Sequence, residues 1–213
     1  MDLPKIQKIG PLEIEAESFR IIASEIGPTQ FTSEQFAVVR RCIHATGDFS
    51  FADNMRFHPK AIKAALKSLT AGKNILVDVN MAASGISRAL LIKFGGKVIC
   101  RVAEGATVER AALAQMTRSE AAIERAARDN IGIVAVGNAP TALLKTMELI
   151  EQGVFAPDVV IGVPVGFVNA LESKAILASK SYPFITSLGR KGGTPVAVAA
   201  VNALLRLADT FVE

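Results

Sequence analysis

Five short runs of apolar, mostly β-branched residues constrain the fold of this chain more than any other feature. The runs cover residues 74–79, 97–102, 131–136, 158–163 and 183–188, and helical patterns lie between them. Each run is nearly continuous in apolar residues, as in strands of a parallel sheet that is covered on both faces. The alternation therefore predicts an α/β protein in which helices connect parallel strands.

Helical periodicity before and between the runs completes this prediction. The expected helices cover residues 11–26, 33–45, 59–71, 118–129 and 196–208. Thr117 has capping-box spacing to Glu120, and Thr194 with Pro195 is typical of a helix start. Five visible strands favour a three-layer α/β/α sandwich with a five-stranded parallel sheet in the flavodoxin-like order 2-1-3-4-5 over the Rossmann order.

The composition supports one folded domain and excludes several classes of protein. Half of the 213 residues are hydrophobic, which is enough for a core and excludes intrinsic disorder. The 24 Lys and Arg and the 20 Asp and Glu are scattered, and 6% of residues are aromatic, so a nucleic-acid surface is disfavoured. We expect a single domain over residues 1–213, with a mostly helical extension at 1–57 and a doubly wound core at 58–213.

No segment of the sequence predicts export or membrane insertion. The uncharged stretches 130–144 and 192–205 contain Gly and Pro and are shorter than the roughly 20 apolar residues of a membrane span. The first 15 residues lack the apolar region of a signal peptide. Cys42 and Cys100 are far apart and match neither a disulfide framework nor a zinc motif. We therefore expect a cytoplasmic protein.

The predicted strand order places a ligand crevice at the carboxyl ends of the first and third strands. The residues expected there are 80–81 and 137–140, the latter including Asn138, with 164–166 and 189–193 beside them. The glycines of 189–193 allow backbone N–H groups to approach an anion, and Arg190 and Lys191 add charge. An ordinary strand-to-helix turn with solvated basic residues remains an equal alternative for this loop.

The same residues exclude familiar nucleotide and hydrolase motifs. No Gly-Lys-Ser/Thr follows the glycine-rich loop, and no GxGxxG follows the first strand. No close pair of acidic residues suits a glycosidase, and no GxSxG elbow is present. Two histidines without acidic neighbours at ligand spacing do not predict a metal site.

His44 and His58 are the only histidines in the sequence. His58 precedes a proline and a helix, and we expect it in a surface turn. His44 follows Arg40 and Arg41 by one helical turn, so the guanidinium groups share part of its helix face. This makes His44 a candidate for proton exchange. Periodicity alone favours the alternative, a structural histidine, over this function.

Several separated motifs make the chain resemble the precorrin-8X methylmutase family, which is the precorrin isomerase family of cobalamin biosynthesis and includes the cobalt-precorrin-8 methylmutases of the anaerobic route. The motifs lie, in order, at residues 17–19 (ESF), 41–45 (RCIHA), 117–119 (TRS), 137–143 (GNAPTAL), 161–168 (IGVPVGFV), 172–174 (ESK) and 189–193 (GRKGG). The resemblance extends over nearly the whole chain.

The resemblance implies a flavodoxin-like fold, a homodimer and a corrinoid substrate. It also implies an isomerisation in which a methyl group migrates from carbon 11 to carbon 12 of the macrocycle, giving hydrogenobyrinate or cobyrinate. The family's proton-exchanging histidine matches His44, its substrate-contacting serine and arginine match Ser18 and Arg41, and a further arginine matches Arg118. The methyl group moves within one molecule, so no cofactor or methyl donor is expected.

A corrinoid precursor is a broad apolar disc edged with carboxylates, which suits helix starts that carry cations. Together with Ser18 and Arg41, the residues expected to bind it are Thr117, Arg118, Asn138, Arg190, Gly192 and Gly193. Two alternatives remain at this point. One is a corrinoid carrier without catalytic activity, and the other is a flavodoxin-like module that binds FMN or another phosphate through the glycine-rich loop.

Overall fold

The computed structural model describes residues 8–11 and 13–212. Residues 1–7, 12 and 213 lie outside this part of the chain. Residues 1–7 belong to the segment in which we find no signal-peptide pattern, and residue 12 belongs to the predicted helix 11–26. The described residues form one mixed sheet with helices on both of its faces.

Six strands make up the sheet. They are β1 (Met55–Phe57), β2 (Asn74–Val77), β3 (Val98–Ile99), β4 (Ile131–Val136), β5 (Val159–Gly162) and β6 (Phe184–Ser187). Eleven helices are found in the described part of the chain. They are α1 (Ile14–Ile26), α2 (Ser33–Thr46), α3 (Phe51–Asn54), α4 (Ala61–Thr70), α5 (Asn80–Gly85), α6 (Arg88–Lys93), α7 (Gly105–Leu113), α8 (Arg118–Ala126), α9 (Pro140–Glu151), α10 (Ala170–Ala178) and α11 (Thr194–Val212).

The strand order is β1-β6-β5-β4-β2-β3. Strands β2 to β6 are parallel to their neighbours, whereas β1 pairs antiparallel with β6, with Met55 opposite Ser187. The prediction of a five-stranded, purely parallel sheet is therefore wrong, because β1 adds a sixth strand at one edge. A three-residue strand between a short helix and a His-Pro step is too short to show an apolar alternation.

The five predicted strands are all present, although most are shorter than their apolar runs. The extreme case is β3, which keeps two residues of the run 97–102. The predicted helices correspond to α1, α2, α4, α8 and α11. The last of these begins at Thr194 rather than at residue 196, since Thr194 and Pro195 already belong to its first turn. The sequence analysis gives no bounds for the other six described helices, which are α3, α5, α6, α7, α9 and α10.

Two hydrophobic clusters lie on opposite faces of the sheet. Neighbouring residues of β2 belong to different clusters: Ile75 and Val77 lie in the first, and Leu76 lies in the second. The first cluster packs α2, α4 and α11 against the sheet, and the second packs α8, α9 and α10. Val38 of α2 is fully buried in the first cluster, so the helices that precede the sheet share its core.

Helix α11 is the longest described helix, with 19 residues. It packs along α2, and the Sγ atom of Cys42 lies 3.7 Å from the carbonyl oxygen of Val196 near the start of α11. The C-terminal half of α2 therefore lies beside the first turn of α11, which follows the carboxyl end of β6. Within the described residues, no helix is both long and apolar enough to cross a membrane.

Candidate active site

The loops predicted to form the crevice meet at one edge of the sheet. Strands β2, β4, β5 and β6 are parallel neighbours, so the segments that follow them all leave from the same side. Asn138 follows β4, and Arg190, Gly192 and Gly193 follow β6. We call this side of the sheet the carboxyl edge.

Asp78, directly after β2, fixes the loop that follows β4. Its buried carboxylate accepts hydrogen bonds from the backbone N–H groups of Gly137 at 3.2 Å, Asn138 at 2.8 Å and Ala139 at 2.8 Å. Burial raises the pKa of Asp78, and the three N–H donors act in the opposite direction. The side chain of Asn138 remains exposed at the carboxyl edge.

The start of α8 lies next to the start of α9. Thr117 forms the predicted capping box with Glu120, and its hydroxyl lies 3.1 Å from the hydroxyl of Thr141 in the first turn of α9. This contact brings Arg118 to the same edge as Asn138. Arg118 is exposed and has no carboxylate partner among the described residues, so its guanidinium is available to an anion.

The glycine-rich loop after β6 is held against the loop after β5. The N–H of Gly193 donates to the carbonyl of Val163 at 2.8 Å, and the N–H of Gly166 donates to the carbonyl of Arg190 at 3.2 Å. Arg190 is exposed, and its guanidinium carbon lies 5.7 Å from the ring centre of Phe167. No carboxylate of the described chain pairs with Arg190.

Large apolar side chains are exposed in the segments that follow β5 and β2 at the carboxyl edge. Phe167 is 86% exposed and Val168 is 79% exposed in the loop after β5, where Val165 is also accessible, and Met81 is 69% exposed after β2. We call these four residues the apolar edge. The sequence analysis places 164–166 in the crevice but does not select Phe167 or Val168. Apolar residues that continue past a strand into a loop would have been the signal for them.

A second group of predicted residues lies on α1 and α2 around the ring of Phe19. His44 is exposed, and its ring meets the Phe19 ring edge-on at a centroid distance of 5.4 Å. The guanidinium carbons of Arg40 and Arg41 lie 4.3 Å and 5.0 Å from the same ring centre. Within the described chain the His44 ring forms no hydrogen bond, and its contact is with the ring of Phe19.

Arg41 already has a protein partner in this structure. Its guanidinium donates two hydrogen bonds to the carboxylate of Glu15, at 3.0 Å and 3.2 Å, and this contact lowers the pKa of Glu15. Arg206 of α11 lies 3.9 Å from the same carboxylate. The hydroxyl of Ser18 donates to the carbonyl of Ile14 at 2.8 Å. The sequence analysis did not identify Glu15, because a glutamate in a first helical turn is common.

One ion pair connects the two groups. Lys191 of the glycine-rich loop lies 2.7 Å from the carboxylate of Asp48, just beyond α2, and donates to the hydroxyl of Ser50 at 3.1 Å. The end of α2 that carries His44 is therefore attached to the carboxyl edge. Across residues 8–11 and 13–212, no hydrogen bond joins Ser18, Arg41 or His44 directly to the residues of the β4 and β6 loops.

His58 lies at the other end of the sheet. Its N–H donates to the carbonyl of Phe184, the first residue of β6, at 3.0 Å, and its Nδ1 atom accepts from the N–H of Lys60 at 3.2 Å. A cavity of about 740 Å³ lies nearby, between the α1–α2 loop and β1, and none of the predicted site residues lines it. His58 therefore has a structural position away from the carboxyl edge.

Comparison with known proteins identifies the family of this chain. A family model described as precorrin-8X methylmutase matches residues 13–207. The cobalt-precorrin-8 methylmutase of Priestia megaterium is 43% identical over 205 residues, which cover 96% of this chain and 91% of that protein. The precorrin-8X methylmutase of Sinorhizobium sp. is 39% identical over 196 residues, with coverage of 91% and 93%.

A solved structure gives the same result for the fold. The precorrin-8X methylmutase of Thermus thermophilus superposes with a TM-score of 0.86 at 45% sequence identity, and the match covers 93% of this chain and 98% of that one. Sequence and structure thus agree over nearly the full length, and this chain belongs to the precorrin-8X methylmutase family.

Proposed function

We propose that this protein is an isomerase of cobalamin biosynthesis that moves a methyl group from carbon 11 to carbon 12 of precorrin-8 or its cobalt complex. The products are hydrogenobyrinate and cobyrinate, respectively. The observation that carries the proposal is the apolar edge at the same side of the sheet as Arg118 and Arg190, neither of which pairs with a carboxylate of the described chain, in a chain of this family. Such a surface matches an apolar macrocycle whose rim carries carboxylates.

Binding divides between an apolar floor and a polar rim. Met81, Val165, Phe167 and Val168 offer apolar surface to the ring, and burying this surface stabilises the complex. Arg118 and Arg190 receive rim carboxylates, with Thr117 and the side chain of Asn138 nearby. In the group on α1 and α2, Arg41 reaches a substrate carboxylate by leaving or sharing its contact with Glu15, and Ser18 orients the same side of the ring.

His44 supplies the proton chemistry in this proposal. As an acid, its imidazolium donates a hydrogen bond to the macrocycle and stabilises the charge that develops while the methyl group moves. The bond from the methyl group to carbon 11 breaks and the bond to carbon 12 forms, so atoms and electrons balance within the substrate. The shared proton returns to His44. Phe19 and its neighbouring guanidinium groups orient the imidazole.

Three further properties complete the proposal. The whole chain forms one isomerase domain, as the shared core of α2 and the sheet supports. The protein forms a homodimer, because the apolar edge of a single chain is exposed. The corrinoid disc that would lie on this edge is too broad for one set of loops to enclose, so a second subunit covers it. It acts in the cytoplasm, where the two free cysteines of the described chain suit a reducing environment.

The visible spectrum of a precorrin-8 preparation, recorded before and after addition of the protein, tests the proposed reaction. We expect a time-dependent change at catalytic protein concentration, because methyl migration rearranges the conjugated system. A spectrum that changes only in proportion to added protein would instead indicate a stoichiometric carrier. A parallel titration with FMN tests the phosphate-binding alternative, for which the family offers no support.

A further inference from the structure

Lys174 is a fully buried lysine beneath the carboxyl edge. Its residue is 0% exposed in α10, although lysine is among the residue types that are least often buried. Its ammonium group donates one hydrogen bond, to the main-chain carbonyl of Lys191 at 2.7 Å. The hydroxyl of Ser187 donates to the same carbonyl at 3.2 Å. Two donors from below therefore hold one peptide group of the glycine-rich loop.

The geometry of the peptide bond between Lys191 and Gly192 determines where the N–H of Gly192 points. The described chain contains no cis peptide bond, and in a planar trans peptide the C=O and N–H groups point in opposite directions. Because the Lys191 carbonyl points toward Lys174, the N–H of Gly192 points away from α10. This N–H has no hydrogen-bond acceptor in the part of the chain that the structure describes.

The same peptide group has little freedom to turn. A Cβ atom on Gly192 would collide with the carbonyl oxygen of Val163, and the next N–H, from Gly193, is bonded to that oxygen at 2.8 Å. The carbonyl of Arg190 is fixed by the N–H of Gly166. The contact of Lys174 with the Lys191 carbonyl thus adds to the hydrogen bonds of Arg190 and Gly193, and together they hold the glycine-rich loop in one conformation.

We propose that Lys174 is a positioning residue that orients the Lys191–Gly192 peptide so that the Gly192 N–H binds a carboxylate of the corrinoid. This inference rests on the proposed function and assigns a role within it to a residue that does not touch the substrate. Arg190 lies two residues before this N–H, so one carboxylate can receive a side-chain donor and a backbone donor together.

Energetics support a positioning role over a stabilising one. Burial lowers the pKa of Lys174 to about 8, which shows that the fold opposes its charge at this position. No ion pair of the described chain involves Lys174. A methionine of similar length would fill the same space without that penalty. A charged donor at this position is therefore explained by the carbonyl that it holds.

The test compares Lys174→Met with Lys180→Met, a lysine just after α10 that pairs with Glu151 on the surface. The probes are cobyrinate, whose rim carries carboxylates, and dicyanocobinamide, whose rim carries amides in place of those carboxylates. We expect Lys174→Met to bind cobyrinate about 10- to 100-fold more weakly, as for loss of a hydrogen bond to a charged group. Binding of dicyanocobinamide should change less than twofold, and Lys180→Met should match wild type for both probes.

Turnover adds a second readout. If the Gly192 N–H binds a rim carboxylate equally in the ground and transition states, Lys174→Met raises KM and leaves kcat nearly unchanged. Gly192→Ala, which displaces the same peptide while Lys174 is retained, should reproduce this pattern if Lys174→Met fails to fold. Equal affinity of Lys174→Met and wild type for cobyrinate would overturn the inference, as would an equal loss for both probes. A wild-type protein that neither binds nor converts corrinoids would overturn the proposed function instead.

Discussion

The carboxylate of Asp48 and the ammonium group of Lys191 lie 2.7 Å apart and connect the end of α2 to the glycine-rich loop after β6. Asp48 follows His44 by four residues, and Lys191 follows Arg190 directly. The pair therefore joins the segment that follows the proposed proton donor to the loop that carries a proposed carboxylate-binding residue. Lys191, which the sequence analysis treated as a source of charge for the ligand, is instead paired within the protein.

Asp48→Asn should reduce kcat/KM about fivefold with little loss of stability. Weakened positioning of about 1 kcal/mol corresponds to that factor, and a surface ion pair contributes only about 0–1 kcal/mol to folding. Steady-state kinetics and thermal unfolding of the two proteins measure both effects. Unchanged kcat/KM would show that the pair does not position the site.

The same pair predicts a dependence of stability on pH. Hydrogen bonds from Lys191 and Ser50 lower the pKa of Asp48 from 3.8 to about 2. A carboxylate with a lowered pKa stabilises the fold above its unfolded pKa and loses this contribution as the pH falls through its folded pKa. The small difference in unfolding temperature between wild type and Asp48→Asn should therefore be constant above pH 5 and shrink toward pH 2.

His44→Ala should slow isomerisation by about 10²–10⁴-fold while corrinoid binding persists, which is the usual range for loss of a general acid or base. The single-turnover spectrum of the variant measures the rate, and absorbance titration with cobyrinate measures binding. His58→Ala is the matched control, because His58 lies at the opposite end of the sheet and should retain wild-type turnover. Wild-type turnover of His44→Ala would disprove the role of His44.

Much of the fold could be predicted from the sequence because its signals are local. A buried parallel strand such as β4 consists entirely of buried apolar residues, and the capping box at Thr117 fixes the start of α8. The strand β1 could not be predicted, since it exists only through pairing with β6 across more than 120 residues of chain. Tertiary pairing of this kind leaves no periodic pattern in three residues.

The candidate site was predicted only in part, for a related reason. Side chains on loops after parallel strands share an edge, so Asn138 and Arg190 could be placed together from the strand order. Partners within the protein could not be predicted. The contact of Arg41 with Glu15 joins two helices, and that of Lys174 with Lys191 joins a helix to a loop. Each depends on how elements pack rather than on spacing along the chain.

Arg118→Ala and Arg190→Ala should each weaken binding of cobyrinate by about 1.5–3 kcal/mol, because each removes a charge-assisted hydrogen bond from a cation without a described protein partner. The affinity of wild type should fall as ionic strength rises, and that of the variants should fall less steeply. Isothermal titration at several salt concentrations measures both effects. Wild-type affinity in both variants would show that the carboxylates bind elsewhere.

Arg41→Ala should behave differently from these two variants. Its guanidinium is bonded to Glu15, so truncation leaves that carboxylate without its main partner and loosens the contact between α1 and α2. We expect both weaker binding and a lower unfolding temperature. The variant Glu15→Gln provides the comparison: it should lower the unfolding temperature in a similar way but free Arg41 for the substrate.

Asp78→Ala should destabilise the fold by at least about 2 kcal/mol. Three backbone N–H groups would lose their acceptor. Those of Gly137 and Ala139 are buried, and each buried unsatisfied donor costs about 1–3 kcal/mol. Chemical denaturation measures the loss. Thr146→Ala removes another buried side chain that bonds to the backbone, but its hydroxyl donates a single bond within α9, so this control should lose only about 1 kcal/mol.

Sedimentation at micromolar concentration should give twice the chain mass, because a second subunit can cover the exposed apolar edge of the first. Within each subunit, the contact of Asp48 with Lys191 joins the segment after His44 to the loop that carries Arg190. His44→Ala and Arg190→Ala chains can be mixed and assayed at a low substrate concentration, at which each variant alone turns over slowly. We expect no gain in activity, since every site in a heterodimer then lacks one of the two residues. If His44 and Arg190 of each site come from different subunits, one of the two sites in every mixed dimer is complete. Half of the dimers are then mixed, so recovery of about a quarter of wild-type activity would show this shared arrangement. A fully active monomer would show that the cover of the site comes from its own chain.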